Sequence, residues 1–491
     1  MCGIAVIFRD RNPDLLKKML SKIKHRGPDE EGMWFSDDIS MGHTRLSIID
    51  ISSGKQPMLT PDKKKVIVFN GEIYNFKEIQ NNLKNKYSFT TNSDTEVILH
   101  LYEEKGYDCL NDLNGMFAFV IYDNGKIFAA RDRIGIKPLY IAKHNDKIIF
   151  ASELKCLWFA DEINEFPPGS FYTSENGFQT YYKLPYPRDI HFDIDTIITN
   201  IQNLLDKAVQ IRLISDVPVG VFLSGGLDSS IVAAIMKKYL PELHSFTVGV
   251  EGSEDIISAR KVANYLGTIH HEYIYTEKEM LQYLPDVIYH LELYDAPLVR
   301  SAVPNYFVSR LAKGIVKVLL SGEGADEIFC GYEYLKKINT DDELKSESYR
   351  ITNSLQNTNL QRTDRITMSH SIEARVPFLD FKVIDFVFSI SSSIKNPNFK
   401  NTEKWILRKA FENYLPSEII WRKKQKFSEG AGSINILKAF AEKEFKDNEY
   451  LAYSKDKKIR SKEEYFYYKI FENHFPFLSN HNLIGTTKDY S

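Results

Sequence analysis

The sequence predicts two domains: an α+β layered domain, then an α/β domain with a doubly wound parallel sheet and a helical C-terminal part. Three observations lead to this prediction. The chain has 491 residues, more than one hydrophobic core usually serves. Its first part holds short runs of Val, Ile, Phe and Tyr bounded by Gly, Asp or Asn, as in β-sheets. Further on, strands alternate with glycine turns and helices, and from about residue 355 the pattern is mostly helical.

Composition excludes several classes of protein. A net charge of -3, with 63 Lys and Arg against 66 Asp and Glu, gives no sign of a surface for nucleic acid. The four cysteines are scattered and form no C-x-x-C pair, which argues against a zinc site or a disulfide framework and fits a reducing, cytoplasmic setting. We find no basic-then-apolar leader and no apolar run near the roughly 20 residues that span a bilayer. We therefore expect no membrane and no nucleic-acid partner.

The predicted elements of the first domain follow in order. Strands are expected at "GIAVIF", "KKVIVFNGEIYN", "GMFAFVIYD" and "KIFAARD". One helix is expected at "SDTEVILHLYEEKG", with Ser93 as N-cap, Glu96 as its capping-box partner and Gly106 as its end. Strands with segregated helices indicate an α+β layered domain.

The domain boundary is predicted near residue 190. Pro185 and Pro187 interrupt regular structure within "YYKLPYPRDIHFD". The expected domains are thus residues 2–190 and 191–475, followed by a polar tail over 476–491.

The second domain begins with "VPVGVFLSGGLDSSIVAAIMKKYL", which indicates a strand, a glycine turn and a helix. "HSFTVGV" and "IHHEYIYT" are predicted strands with the helix "ISARKVANYLG" between them. "VKVLLSGEGADEIFCGY" repeats the order of strand, turn and helix. This alternation is typical of a parallel, doubly wound sheet.

The turn "LSGGLDSS" at 223–230 is predicted to bind phosphate, since ligands of open α/β sheets bind where strands end. Gly225 and Gly226 let backbone N–H groups approach an anion, and the helix N-terminus favours negative charge. Asp228 suits such a site if Mg²⁺ lies between it and the phosphate. The alternative is a purely structural glycine turn. The pattern G-x-x-x-x-G-K-[ST] is missing, which excludes an ATPase-type P-loop.

A second turn, "LLSGEGADE" at 319–327, has the same layout. Ser321, Gly322 and Gly324 can wrap a ligand, while Glu323 and Asp326 supply carboxylates for a metal or a developing ammonium. The alternative is a solvated acidic loop.

Cys2 is a candidate nucleophile. If Met1 is removed, the free α-amine of Cys2, with an ordinary pKa near 7.7–8.0, can act as base to its own thiol. Gly3 leaves room for a substrate. A chance cysteine would be the better interpretation of position 2 alone.

Polar turns elsewhere in the first domain change that interpretation, since loops on rigid sheets often carry function. These turns are "HRGPDEEG", "GHTRLSIID", "FNGEIYN" and "NSDTE". Arg45 suits a carboxylate, Glu72 and Asp94 suit an ammonium, and Asn70 with the Gly71 N–H suits an oxyanion. Taken singly, Arg45 could be a surface charge and Asn70-Gly71 a hairpin turn.

The motifs taken together resemble those of glutamine-hydrolysing asparagine synthetases over about residues 2–475. "MCGI", "HRGPDE", "RLSIID", "FNGEIYN" and "SDTE" mark class II glutamine amidotransferases, whose domain is of the Ntn type with αββα layers. "SGGLDSS", "SGEGADE", "EARVPFLD" and "KFSEG" narrow the resemblance to the asparagine synthetase group. "ARDRIGIKPLY" and "ASELK" are expected near the face between the domains.

The resemblance implies roles for residues of the first domain. Cys2 would attack the amide of glutamine, and Asn70 and Gly71 would form the oxyanion hole. Arg45 would hold the substrate carboxylate, and Glu72 with Asp94 would hold its ammonium. The remaining pocket lining would be Leu46, Ser47, Ile48 and Ile49.

Roles in the second domain are implied in the same way. Asp228 and Asp326 would bind Mg²⁺, and Glu323 would support formation of an acyl-adenylate or take a proton from ammonia. Lys424 would neutralise phosphate charge. The residues implied in ATP binding are Leu223, Ser224, Gly225, Gly226, Leu227, Asp228, Ser229, Ser230, Val248, Ser321, Gly322 and Lys424.

The activity implied is synthesis of asparagine from aspartate, with ATP as co-substrate and ammonia from glutamine, in a homodimer. The intermediate would be β-aspartyl-AMP, and ammonia would need an apolar route between the sites, since a buried unpaired ammonium is costly. Gln425 after Lys424, and Ser-Ala after Arg300, depart from the family pattern. They leave open a related amidotransferase that acts on another carboxylate. A non-catalytic relative is disfavoured, because Cys2, Asp228 and Glu323 are all present.

Overall fold

Two antiparallel sheets face each other in the first part of the chain, in a computed structural model that describes residues 2–423, 430–457, 459–478 and 483–487. The first sheet has the strand order β10-β8-β9-β1-β3-β2, and the second β12-β11-β7-β6-β5-β4. The strands are β1 (Gly3–Phe8), β2 (Glu30–Ser36), β3 (Ile39–Arg45), β4 (Met58–Leu59), β5 (Lys65–Ile73), β6 (Gly115–Asp123), β7 (Lys126–Arg131), β8 (Tyr140–His144), β9 (Lys147–Ala151), β10 (Glu162–Glu165), β11 (Ser170–Thr173) and β12 (Gly177–Thr180).

Helices cover the outer faces of both sheets. Alternate residues of the strands, such as Val6, Met41, Val68 and Val120, form the core between the sheets. The helices are α1 (Pro13–Lys22), α2 (Phe76–Leu83), α3 (Asp94–Lys105) and α4 (Cys109–Asp112). Helix α1 packs on the first sheet, whereas α2 to α4 pack on the second. The predicted αββα layering is confirmed.

The predicted ends of α3 are confirmed, but its predicted capping box is wrong. The Ser93 side chain accepts a hydrogen bond from the Thr95 N–H, and Gly106 ends the helix with φ 58°. The Glu96 carboxylate instead accepts hydrogen bonds from the backbone N–H groups of Thr90 and Thr91, at 2.9 and 2.7 Å. Glu96 therefore fixes the chain before the helix rather than its N-cap.

A five-stranded parallel sheet forms the second domain, in the order β15-β14-β13-β16-β17. Its strands are β13 (Val219–Phe222), β14 (His244–Gly249), β15 (Ile269–Ile274), β16 (Val318–Leu320) and β17 (Glu373–Arg375). The doubly wound sheet is as predicted, except that β17 lies in the region predicted to be helical. Strand β17 adds only three residues to the edge beside β16.

Helices surround this sheet and make up most of the C-terminal part. They are α5 (Ile194–Ile211), α6 (Leu227–Tyr239), α7 (Glu254–Leu266), α8 (Glu277–Leu291), α9 (Ala296–Ala312), α10 (Ala325–Ile328), α11 (Asp341–Asn353), α12 (Asn359–Met368), α13 (Phe381–Ser389), α14 (Ser392–Lys395), α15 (Trp405–Phe411), α16 (Ser417–Ile420), α17 (Ser433–Glu444), α18 (Asp447–Lys457) and α19 (Lys462–His474). Within the described part of the chain, no helix is long and apolar enough to cross a membrane.

The order of the strands brings the two glycine turns next to each other, because β13 and β16 are neighbours in the sheet. Strand β13 lies between β14 and β16, and the chain winds outward in opposite directions from there. The turns that follow β13 and β16 therefore meet at the topological switch point, where open α/β sheets bind ligands.

The two domains share one buried core. Leu46, Ile48 and Met116 of the first domain belong to the same apolar cluster as Val221 and Leu320 of the parallel sheet. The predicted boundary near residue 190 stays a prediction. In this region Ile190 donates a backbone hydrogen bond to Ser389, so the connecting segment lies against the second domain.

Candidate active sites

Cys2 lies buried beside Asn70, just before the central strand β1. Its backbone N–H donates to Asn70 Oδ1 at 2.9 Å, and its carbonyl accepts from Arg26 Nε at 2.9 Å. Burial raises the pKa of the Cys2 thiol, while the Leu46 N–H and the charge of Arg45 act in the opposite direction. A thiol in this position needs a base before it can attack a carbonyl.

The two predicted oxyanion donors, Asn70 Nδ2 and the Gly71 N–H, belong to β5, and Asn70 contacts the cysteine. Asn70 is fully buried, and its Nδ2 has no hydrogen-bond partner among the described residues. A Cβ at Gly71 would lie 2.1 Å from the Met116 carbonyl oxygen, so β6 approaches too closely for any other residue. A buried amide donor without a partner is what an oxyanion hole requires.

Glu72 and Asp94, the two acids predicted to hold an ammonium group, are both buried near β5. Asp94 Oδ2 accepts from the Ile73 N–H at 2.9 Å, and Glu72 Oε2 makes no hydrogen bond within the described part of the chain. Burial, reinforced by the charges of Glu373 and Asp94, raises the pKa of Glu72 well above its ordinary value. Burial likewise raises the pKa of Asp94 to about 6. Both carboxylates would gain by binding an ammonium group.

Arg45 begins the loop that carries residues 46–49. Its guanidinium donates to Glu30 Oε2 at 2.7 Å and to the carbonyls of Asp50 and Ile51 at 2.6 and 3.1 Å. The structure thus places Arg45 at the base of this loop, where it also holds the loop closed. Its contact with a substrate carboxylate stays a prediction.

The second domain holds the same loop from outside. Asp216 donates its N–H to the Ile48 carbonyl at 3.0 Å and accepts from the Asp50 N–H at 2.8 Å. Lys317 Nζ contacts Asp29 Oδ2 at 2.8 Å, and that oxygen also accepts from the Ser47 N–H. Sequence patterns did not identify Asp216 or Lys317 as contacts of this loop, because their partners Asp50 and Asp29 lie in the other domain.

If Asp94 binds a substrate ammonium group as the sequence predicts, kcat/KM for hydrolysis of that substrate should fall as the pH drops through about 6. Asp94 is ionised above its pKa of about 6 and attracts an ammonium group, whereas below that pH it is neutral. Because kcat/KM reports groups of the free enzyme, the inflection should appear in that constant. Asp94→Asn should lower kcat/KM and remove the inflection. An inflection that survives the substitution would assign it to another group.

The first glycine turn opens α6 at the wall of a cavity of about 870 Å³. Gly225 has φ 70°, and a Cβ there would lie 2.4 Å from the backbone of Ser258, so only glycine fits. The Ser224 and Ser229 hydroxyls lie 3.1 Å apart, and Ser230 is fully buried behind them. Leu223, Leu227 and Val248 contribute apolar lining to the same cavity.

Asp228 and Asp326 meet at one lysine that sequence patterns did not identify. Lys404 Nζ lies 2.7 Å from both oxygens of Asp228 and 2.7 Å from Asp326 Oδ1. Although burial acts against it, the two carboxylates raise the pKa of the Lys404 ammonium. A pair of carboxylates already bridged by a cation, at the cavity wall, is a donor set that fits Mg²⁺. In the described part of the chain, no group of three or more His, Cys, Asp or Glu could hold a metal.

The second glycine turn touches the first. A Cβ at Gly322 would lie 2.8 Å from Asp228 Cβ, and Gly324 has φ 94°. Glu323 forms an ion pair with Arg362 of α12 at the cavity wall, and Ser321 also lines the cavity. The structure therefore brings both turns into one site, as the sequence predicts, and adds Lys404 and Arg362 to it.

Other predicted features have mixed outcomes. Lys424 and Gln425 lie outside the described residues. Arg300 lines the cavity and forms an ion pair with Glu463. "ARDRIGIKPLY" and "ASELK" lie at the domain interface, where Lys137 Nζ contacts Asp364 at 3.3 Å and the Leu154 N–H donates to Glu292 at 3.0 Å. The four cysteines Cys2, Cys109, Cys156 and Cys330 are free and buried.

The first domain has αββα layers, a buried cysteine at residue 2 and beside it an amide nitrogen without a partner among the described residues, as expected of a glutamine amidotransferase. It is joined to an α/β domain with two glycine turns at the switch point of its sheet. Family models agree: residues 1–208 match a glutamine amidotransferase domain, and residues 200–345 and 334–483 match asparagine synthase. The chain belongs to the family of glutamine-hydrolysing asparagine synthetases.

Several curated relatives match nearly the whole chain. Asparagine synthetase B [glutamine-hydrolyzing] of Escherichia coli is 40% identical over 516 residues, covering 97% of this chain and 92% of the relative. The probable asparagine synthetase [glutamine-hydrolyzing] of Dictyostelium discoideum is 40% identical over 525 residues, covering 97% and 94%. Asparagine synthetase [glutamine-hydrolyzing] 3 of Arabidopsis thaliana is 40% identical over 512 residues, covering 97% and 88%.

Proposed function

We propose that this protein makes asparagine from aspartate and ATP, with ammonia released from glutamine. AMP, pyrophosphate and glutamate are the other products. One observation carries the proposal: Cys2 with its oxyanion donors and the paired glycine turns lie in one chain that shares a core and belongs to this family.

The first half-reaction takes place at Cys2. The thiol gives its proton to the chain's α-amine, and the sulfur attacks the amide carbon of glutamine. The oxyanion that forms accepts hydrogen bonds from Asn70 Nδ2 and the Gly71 N–H. The C–N bond breaks, ammonia leaves with the proton, and water hydrolyses the thioester to glutamate. Glu72 and Asp94 hold the substrate ammonium during these steps.

The second half-reaction takes place at the paired turns. A carboxylate oxygen of aspartate attacks the α-phosphorus of ATP, and pyrophosphate leaves toward the N–H groups of the "SGGLDSS" turn. Ammonia then attacks the carbonyl of the mixed anhydride, loses a proton and displaces AMP. Glu323 would accept that proton. Mg²⁺ held by Asp228 and Asp326 would neutralise phosphate charge.

Ammonia must pass between the sites uncharged. The apolar core that Leu46, Ile48 and Met116 share with Val221 and Leu320 would give such a route apolar walls, which suit ammonia because an unpaired ammonium is costly to bury. The proposal also includes that the protein is a homodimer and acts in the cytoplasm. The four free cysteines suit a reducing compartment.

The test is product analysis with aspartate, glutamine and MgATP. We expect asparagine, glutamate, AMP and pyrophosphate in equal amounts. Stoichiometric ADP and inorganic phosphate would contradict adenylation. Glutamate formation without asparagine would favour the related amidotransferase that acts on another carboxylate.

We further predict that the mature chain starts at Cys2. Only then is the α-amine next to the thiol free to act as its base, because in a longer chain that nitrogen is part of a peptide bond. The intact mass of the active enzyme should be that of residues 2–491, lower than the mass of the full sequence by one methionine residue. Fully active enzyme that retains Met1 would overturn this mechanism.

A further inference from the structure

Arg375 of the second domain reaches into the ammonium pocket of the first. It is fully buried on β17. Its Nε contacts Glu373 Oε1 at 2.6 Å, and its Nη1 donates to the carbonyls of Arg212 and Ile214, each at 2.6 Å. Its Nη2 makes no hydrogen bond with any described residue and lies 3.5 Å from Glu72 Oε1.

The surroundings of Glu72 explain why a positive charge is needed there. Glu72 is buried with two other acids close by, Asp94 and Glu373, and all three disfavour one another's charge. The positive charge of Arg375, 3.5 Å from Glu72 Oε1, opposes their effect on the pKa of Glu72. Without it, the pKa of Glu72 would rise further, and a neutral carboxyl attracts an ammonium group less.

The same guanidinium also fixes the wall of the pocket. The carbonyls that Nη1 binds belong to the segment before Asp216, and Asp216 holds the loop at Ile48 and Asp50. The ring of Tyr74 lies under Arg375, 5.9 Å from the guanidinium carbon, and under Arg212 at 4.6 Å. Glu373, the two carbonyls and the Tyr74 ring thus hold the guanidinium of Arg375 in place. Its Nη2 remains as the nitrogen that faces Glu72.

We propose that Arg375 is a positioning residue of the glutaminase site, supplied by the ATP-binding domain, which orients Glu72 for the ammonium group of glutamine and favours its charged form. This inference rests on the proposed function, since it assigns Glu72 to glutamine. On this proposal, residues of both domains, and not of the first domain alone, form the binding site for glutamine.

The test measures glutamate formation against glutamine concentration. Arg375→Lys keeps a charge but loses the fork geometry, and Arg375→Gln loses both. We expect KM for glutamine to rise roughly tenfold to a hundredfold, more for Gln than for Lys, since a charged hydrogen-bonded contact contributes about that much. The kcat for hydrolysis should change less than about threefold, because the thiol and oxyanion donors are untouched.

A double-mutant cycle separates positioning from general structural support. Glu72→Gln alone should raise KM. In that background, Arg375→Lys should add little, because its effect is transmitted through the Glu72 charge. Arg131→Lys is the matched control: Arg131 is also buried and binds the carbonyls of Lys137 and Phe166, each at 2.7 Å, but does not contact Glu72. Its effects should be the same in both backgrounds.

Folding is checked by synthesis from an ammonium salt, which needs an intact second domain but no glutamine. If Arg375→Gln does not fold, Arg375→Lys and the pair Arg375→Gln with Glu373→Gln, which removes both buried charges, replace it. An unchanged KM, or additive effects in the cycle, would overturn the proposal. An unaltered enzyme that forms no glutamate would instead overturn the proposed function.

Discussion

Replacing Cys2 by alanine is expected to abolish glutamine hydrolysis and glutamine-dependent synthesis, while synthesis from an ammonium salt persists. The substitution deletes the nucleophile, and losing a covalent route costs at least about three orders of magnitude in comparable enzymes. The backbone of residue 2 still donates to Asn70, so the pocket itself keeps its geometry. The adenylating site lies in the other domain and needs only ammonia.

The measurement compares asparagine formed from glutamine with asparagine formed from ammonium chloride at mildly alkaline pH. Cys109→Ala is the matched control, since Cys109 is another free, buried cysteine of the same domain. It should retain both activities. If Cys2→Ala folds but makes nothing from ammonium, the sites are obligately coupled or aspartate is not the acceptor. Repeating the assay on the unaltered enzyme distinguishes these outcomes.

Asp228→Asn is expected to remove synthesis from either nitrogen source and to leave glutamine hydrolysis largely intact. Asparagine has the same size but lacks the charge that binds Lys404 and would bind Mg²⁺. A loss of roughly a hundredfold or more is expected, since even groups that only support a metal ligand cost 10–100-fold.

Asp206→Asn is the control for a lost carboxylate in the same domain. Asp206 pairs with Lys238 at 2.9 Å on the surface and does not line the cavity. It should keep full synthetic activity, because exposed ion pairs contribute little. Synthesis retained in Asp228→Asn would remove this residue from the adenylating site.

Sequence patterns predicted the parts of the fold that have a strong local signal. Strands such as β5 and β13 are continuous apolar runs next to glycine turns, and the turns carry most of the candidate site. Strand β17 was missed because three residues, two of them charged, resemble no strand until β16 pairs with them. Glu96 was misassigned because the spacing of a capping box says nothing of Thr90 and Thr91, which compete for its carboxylate.

The residues that complete the two sites could not be predicted from the sequence, for a different reason. Lys404 lies 176 positions from Asp228 and 78 from Asp326, and nothing in its neighbourhood marks it. Arg375 stands in a quoted motif, "EARVPFLD", but its contact with Glu72 joins two domains. Such contacts depend on how the sheets pack, which no local pattern records.

Lys404 gives the cavity wall a counter-ion of its own. Two carboxylates facing one another would repel, and the folded chain would otherwise depend on dissolved cations to screen them. With the Lys404 ammonium in place, a divalent ion that bound here would replace one cation by another and would not neutralise bare negative charge. The stability of the folded state should therefore not depend on the metal. Thermal unfolding should be the same in a chelator as in a magnesium buffer when nucleotide is left out.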